Sequence, residues 1–141
     1  MSNSKVYVDH LRRVPMFEQF TRKDLEKIAQ ASDVVSVPSG TELMQQGSTG
    51  FEAFIILRGT VVVKRNGRKV ATLGMGAMLG ELALLDHGER SAGAVCQTDC
   101  DLLVLTQGTF MAVVMDVPAL CQKLMSTLAG RVRDLDTLLL G

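Results

Sequence analysis

Three patterns of hydrophobic and polar positions follow one another along the chain. Over residues 6–31 the period is helical: Leu25, Ile28 and Ala29 recur at i, i+3 and i+4 behind Thr21-Arg22-Lys23-Asp24, which resembles a capping box. Pro15 separates this helix from an earlier short one predicted around residues 8–13, because the residue before a proline avoids the helical basin. Over residues 33–106 the pattern changes to short β-branched or apolar runs at 34–37, 41–45, 53–57, 60–64, 69–73, 93–97 and 102–105. Between them stand Pro38-Ser39-Gly40, Gln46-Gly47-Ser48, Arg58-Gly59, Asn66-Gly67, Gly74 and Gly76. Strands at this spacing predict a sandwich or barrel. Asn66-Gly67 predicts a two-residue type I′ hairpin, since both residues accept the positive φ that this turn needs.

From Thr106 onward the helical period returns. Phe110, Val113 and Val114 predict a short helix ending before Pro118, which suits the first turn of the next one. That next helix is long. Leu120, Leu124, Leu128, Val132, Leu135 and Leu139 recur at three or four, and residues 118–140 as helix span about 34 Å. A stripe this rich in leucine at a helix end packs on its own domain or pairs with a second copy.

The chain has 141 residues, enough to bury roughly 68–70% of its unfolded surface in one domain. Its 15 Lys plus Arg balance 15 Asp plus Glu, so no global field draws it to nucleic acid or to an anionic membrane. An anion site has to be local. Lys64, Arg65, Arg68 and Lys69 crowd the predicted hairpin as a solvated, edge-protecting tip or as a nucleic-acid patch, and the zero net charge favours the tip. The longest uncharged stretch, residues 102–115, is shorter than the roughly 18 apolar residues of a spanning helix. Without the apolar core of a signal peptide near the N-terminus, the expected location is the cytoplasm. Cys96, Cys100 and Cys121 are odd in number and point to reduced thiols. The two histidines, His10 and His87, belong to no metal motif, and no Ser-His-Asp set stands out, so neither a metal site nor an enzyme is expected. Met44, Met75, Met111 and Met125 are expected to fill core.

The candidate chemistry lies in residues 76–92. Gly80 lets a backbone approach a ligand, and the helix formers from Glu81 to Leu85 allow one turn to present N–H groups to an anion. Nine positions after Glu81 stands Arg90, whose guanidinium suits a phosphate through two parallel hydrogen bonds, with the hydroxyl and N–H of Ser91 beside it. Glu81 offers acceptors to a sugar hydroxyl. The alternative is a surface ion pair between Arg90 and Glu81 or Asp86.

This stretch, Gly80-Glu81-Leu82-Ala83-Leu84 followed by Arg90-Ser91-Ala92, resembles the phosphate-binding cassette of the cyclic-nucleotide-binding domains. Gly40-Thr41 with Leu43 and Gln46-Gly47-Ser48, the run from Phe54 to Leu57 with Gly59, Val61 and Val63, and Leu73-Gly74 with Gly76 resemble that family's glycine-punctuated β-roll. The resemblance extends from about Val14 to the C-terminus. It implies a mainly β fold with flanking α: an eight-stranded jelly-roll-like β-roll with N-terminal helices and a long C-terminal helix. One domain over 1–141 is expected, with a helical preface at 1–32, the β-roll at 33–106 holding the cassette at 80–92, and helices at 107–141.

Carried over from the family, Arg90 binds the exocyclic phosphate oxygens, assisted by Ser91 and the backbone N–H groups of Ala83 and Ala92. Glu81 and Gly80 hold the ribose 2′-hydroxyl, and Val70, Leu73 and Leu82 wall the base. The Glu81-to-Arg90 spacing matches the regulatory subunits of the cAMP-dependent kinase, whereas the Arg-Ser pair is similar to the bacterial catabolite-type activators. Where those activators touch adenine from the long helix, this chain has Leu135 and Asp136. The Asp136 carboxylate accepts from adenine's amino group or from guanine's ring N–H and amino group. The implied function is a stand-alone sensor of cAMP, or of cGMP, that signals by moving its C-terminal helices and forms a homodimer through 118–140. It acts on an unidentified downstream protein, without direct DNA binding, membrane contact or a cofactor. The competing expectation is a β-roll without ligand that serves as a dimerisation or docking module.

Overall fold

Hairpin chemistry fixes the second sheet. Asn66 (φ 55°) and Gly67 (φ 80°) take the left-handed conformation that a type I′ turn requires, and β4 (Val61–Arg65) folds back on β5 (Arg68–Leu73) with Arg65 opposite Arg68. The computed structural model describes residues 4–86 and 88–140, with backbone alone for residues 4–6. His87, which falls inside the cassette, lies outside the described residues, as do the terminal residues 1–3 and 141. The remaining strands are β1 (Asp33–Val37), β2 (Glu42–Met44), β3 (Glu52–Arg58), β6 (Met78–Leu79), β7 (Gly93–Cys96) and β8 (Cys100–Thr106). They form two antiparallel four-stranded sheets in the orders β1-β8-β3-β6 and β2-β7-β4-β5. These orders are those of a jelly roll, so the predicted eight-stranded class holds. Seven strands stand where the hydrophobic runs placed them; the eighth, β6, has two residues, too few for a periodic signal, and pairs with Phe54 and Ile55 of β3.

Two compact units emerge from the packing, residues 31–111 and the combination of 1–30 with 112–141. The first has its core between the sheets: Phe54, Ile56, Val61, Leu79, Cys96, Cys100 and Leu102 are buried in one cluster. Cys96 and Cys100 are thiols within this cluster. Burial pushes the Cys96 thiol up to about 12, and the Cys100 thiol beside it adds to the effect. A thiol held that high stays protonated at neutral pH and is a poor nucleophile. Met44 is buried, but Met75 (69% exposed) and Met125 (60% exposed) correct the expectation that they fill core. Met75 sits in the turn between Gly74 and Gly76, and Met125 lies on the outer face of the last helix.

The helical unit contains α1 (Ser4–Arg12), a 3-10 turn at Pro15–Phe17, α2 (Arg22–Gln30) and α4 (Pro118–Leu140); α3 (Gln107–Asp116) spans the division. The predicted capping box is present. Thr21 Oγ1 accepts the Asp24 N–H (3.2 Å) and Asp24 Oδ2 accepts the Thr21 N–H (2.8 Å). Lys123 Nζ on α4 donates to the same Oδ2 at 2.7 Å. Burial alone would raise the Asp24 carboxyl, but the bonds from Lys123 and Thr21 outweigh it and hold the group below its ordinary 3.8. The sign follows: a carboxyl depressed in the folded state stabilises above its unfolded value and loses that contribution as pH falls through the folded one. Asp24→Asn is therefore expected to destabilise by about 1 kcal/mol at pH 7. Urea denaturation at pH 7 and pH 3 should show the gap to the wild type narrowing at the lower pH.

The long helix covers residues 118–140 as predicted, with Pro118 as its first residue. Leu120, Leu124 and Thr127 are buried, whereas Val132, Leu135, Leu138, Leu139 and Leu140 are exposed.

Candidate functional site

Gly80 turns the chain out of β6 with φ 72° and ψ 26°, a left-handed geometry that a side chain resists, and the 3-10 turn Glu81–Leu84 follows at once. Within this turn the Ala83 N–H donates to the Gly80 carbonyl (3.0 Å) and the Leu85 N–H to that of Leu82 (3.0 Å). Leu84 is fully buried, as is Phe110. Beyond the turn, Asp86 Oδ1 accepts the Gly88 N–H, and Gln107 Nε2 donates to the Asp86 carbonyl. Both bonds hold the chain at Asp86.

Arg90 returns from that loop as an interior residue, 9% exposed. Its backbone is clamped from both sides: its N–H donates to Ser48 O (2.7 Å), and its carbonyl accepts the Gly47 N–H (2.9 Å). The side chain runs between two glycines. A Cβ added at Gly50 would strike Nε, Cζ and Cδ of Arg90, and one added at Gly80 would strike Nη1. Nη2 donates to the Glu52 carbonyl on β3 at 2.8 Å, and a guanidinium has more donors than this bond uses. Among the described residues no carboxylate comes within ion-pairing distance of Arg90, so the alternative of a surface pair with Glu81 or Asp86 is not what the structure contains. Burial pulls the guanidinium below its ordinary value, and the more distant Glu52 charge partly offsets this. It stays protonated at any physiological pH.

Beside this group opens a cavity of about 210 Å³, lined by Met44, the Gly80–Ala83 segment, the loop from Asp86 and Gly88 to Glu89, and Arg90 with Ser91. A buried cation without a carboxylate partner among the described residues and a short helical turn meet at one concave surface. Such a site favours an anion with few polar neighbours of its own sign, and Glu81 adds acceptors for hydroxyl donors at the same opening.

Of the residues singled out from sequence, Gly80, Glu81, Leu82, Ala83, Arg90 and Ser91 line this cavity together. Leu82 is exposed at its mouth, and Ala92 is buried directly behind Ser91. Val70 and Leu73 lie on β5, Val70 exposed and Leu73 half-buried against the sandwich core, and neither belongs to the lining. Asp136 belongs to the helical unit, exposed on α4. Sequence reasoning missed Gly50 and Glu52. Glu52 contributes a backbone carbonyl, which carries no side-chain signal, and Gly50 is needed as space for a residue far along the chain.

The model of the family described as "Cyclic nucleotide-binding domain" matches residues 34–116. A cyclic AMP receptor protein from Thermus thermophilus is 36% identical over 104 residues, covering 70% of this chain and 48% of its own. A cAMP-dependent protein kinase regulatory subunit from Eremothecium gossypii is 39% identical over 79 residues, 56% of this chain and 17% of its own. The chain thus spans about half, or less, of the length of these curated relatives. Among solved structures, the N-terminal domain of a transcriptional regulator from Streptomyces coelicolor A3(2) superposes with a TM-score of 0.84 at 27% identity, covering 92% of this chain and 96% of that one.

Proposed function

Since the chain belongs to the family of cyclic nucleotide-binding domains, we propose that it is a sensor domain for cAMP which signals through its C-terminal helices. The observation that carries this reading is Arg90: a buried guanidinium, held between two glycines at a cavity, without a carboxylate partner among the described residues. A charge in that position is stabilised when an anion completes it, and a cyclic phosphodiester brings one negative charge with two exocyclic oxygens to share. Arg90 then grips those oxygens, Ser91 and the amides of Ala83 and Ala92 assist, and Glu81 accepts from the ribose 2′-hydroxyl. The Ala83 amide has to release or share its bond to Gly80 to take part, which makes the turn itself responsive to the ligand.

Names of two relatives, a cyclic AMP receptor protein and a cAMP-dependent kinase regulatory subunit, support cAMP over cGMP. The base then rests on Leu82, the exposed apolar side chain at the cavity mouth. The exposed end of α4 supports pairing of two copies through residues 118–140, because Val132, Leu135 and Leu138 to Leu140 make an apolar surface that water disfavours. Signalling requires the ligand to bind one arrangement of the helices better than another.

The test is calorimetric titration with cAMP and with cGMP in parallel, followed by hydrogen exchange with saturating ligand. Saturable binding of cAMP, tighter than that of cGMP, with altered exchange over residues 106–140, is the expected result. Tighter cGMP binding would reassign the base, unchanged exchange at 106–140 would remove the helices from the signal, and no binding of either would leave a docking module as the function.

A further inference from the structure

Two successive carbonyls of the segment that carries Arg90 are held from outside it. The Arg90 carbonyl accepts the Gly47 N–H at 2.9 Å, and the Ser91 carbonyl accepts Arg65 Nε at 3.2 Å. In a trans peptide the C=O and the next N–H point in opposite directions. Gly47 therefore sets the direction of the Ser91 N–H, and Arg65 sets that of the Ala92 N–H. Both holding groups belong to one assembly. Gln46, next to Gly47, clasps the hairpin tip: its Nε2 donates to Asn66 Oδ1 (2.9 Å), and its Oε1 accepts the Asn66 N–H (2.8 Å).

The backbone ladder between β4 and β7 ends at Lys64 opposite Gly93. The Ser91–Ala92 peptide lies beyond that last pair, and the Arg65 side chain supplies the tie that the ladder no longer gives. Its cost is visible in the hairpin. Arg65 faces Arg68 and Lys64 faces Lys69, all exposed, and like charges directly opposite destabilise a strand pair. Edge protection would be served by any of these charges, but Arg65 is the one that reaches the cassette.

We propose that Arg65 is a positioning residue for the anionic end of the ligand: its Nε fixes the Ser91–Ala92 peptide from the β4–β5 hairpin without touching the ligand. A cationic donor on the carbonyl also polarises the same peptide, which makes the Ala92 N–H a stronger donor. This role rests on the cyclic-nucleotide reading above. Because it acts at the phosphate end, it is blind to the base. Because it is short-ranged, it survives salt that screens exposed charges beyond a few ångströms.

The experiment compares Arg65→Met with Arg68→Met, which removes the same charge from the same turn without loosening the cassette. Calorimetry with cAMP and cGMP is run at 0.1 M and at about 1 M KCl, where the screening length falls to about 3 Å. Arg65→Met should weaken both nucleotides by the same factor, about tenfold, at either salt, while Arg68→Met changes affinity less than about twofold. Equal affinities for the two variants, a gap that closes at high salt, or a loss confined to one nucleotide would overturn the role of Arg65 and leave the ligand reading standing. Absence of binding by the wild-type chain would overturn both.

Discussion

Arg90→Ala is expected to weaken cyclic-nucleotide binding by about 2–5 kcal/mol, roughly thirtyfold to several-thousandfold at 25 °C, while the fold keeps its stability. The two halves of this expectation have one cause. Arg90 is desolvated by the protein, and among the described residues it meets no carboxylate there and makes one side-chain bond, to the Glu52 carbonyl, so folding the chain bears the cost of burying a charge and recovers little in return. Removing the guanidinium takes away that bond and some packing, and it also removes the burial cost, which leaves the unfolding free energy within about 1 kcal/mol. The ligand loses its counter-charge outright. Arg90→Lys should fall between the two, because a point charge on a flexible stem does not bridge two phosphate oxygens or fill the planar slot between Gly50 and Gly80. Calorimetric titration and urea denaturation on the same preparations check both halves. Loss of stability in step with affinity would make Arg90 a structural residue, and unchanged affinity would remove it from the site.

Features of the fold that depend on neighbours in sequence were legible, and those set by distant partners were not. The reciprocal bonds of Thr21 and Asp24, the Asn66-Gly67 turn and Pro118 at the head of α4 are each settled within four residues, and the sequence pattern located all of them. β6 escaped because Met78 and Leu79 become a strand only by pairing with Phe54 and Ile55. Composition alone sends Met75 and Met125 to the core, but a side chain's burial is decided by what faces it, and a turn between two glycines and the outer side of a helix face water. The site divides in the same way. Gly80, Glu81 and Arg90 carry a local motif, and they do meet at one cavity, whereas the groups that hold Arg90 in place come from Gly47, Ser48, Gly50 and Glu52, about forty residues earlier.

Gly50 offers the sharpest test of that second group. Gly50→Ala is expected to weaken nucleotide binding by about 2 kcal/mol, roughly thirtyfold, with little loss of stability. Unlike Gly80, this glycine does not lie in the left-handed region, so alanine meets no backbone strain. Its Cβ instead claims the volume of Nε, Cζ and Cδ of Arg90. A flexible side chain yields before the backbone does, so the guanidinium moves and gives up its bond to Glu52 and its aim at the cavity. Stability changes little, because the lost bond is offset by the smaller conformational freedom of alanine in the unfolded chain, worth about 0.4–1 kcal/mol. The double variant isolates the cause. With Arg90→Ala already in place the three atoms nearest the added methyl group are gone, and Gly50→Ala should then leave residual affinity unchanged and raise stability by about 0.4–1 kcal/mol. The difference between the two backgrounds is the coupling free energy of Gly50 and Arg90. A loss of affinity that persists without Arg90 would mean that Gly50 acts on the ligand by another route, and the slot would cease to explain why a glycine stands there.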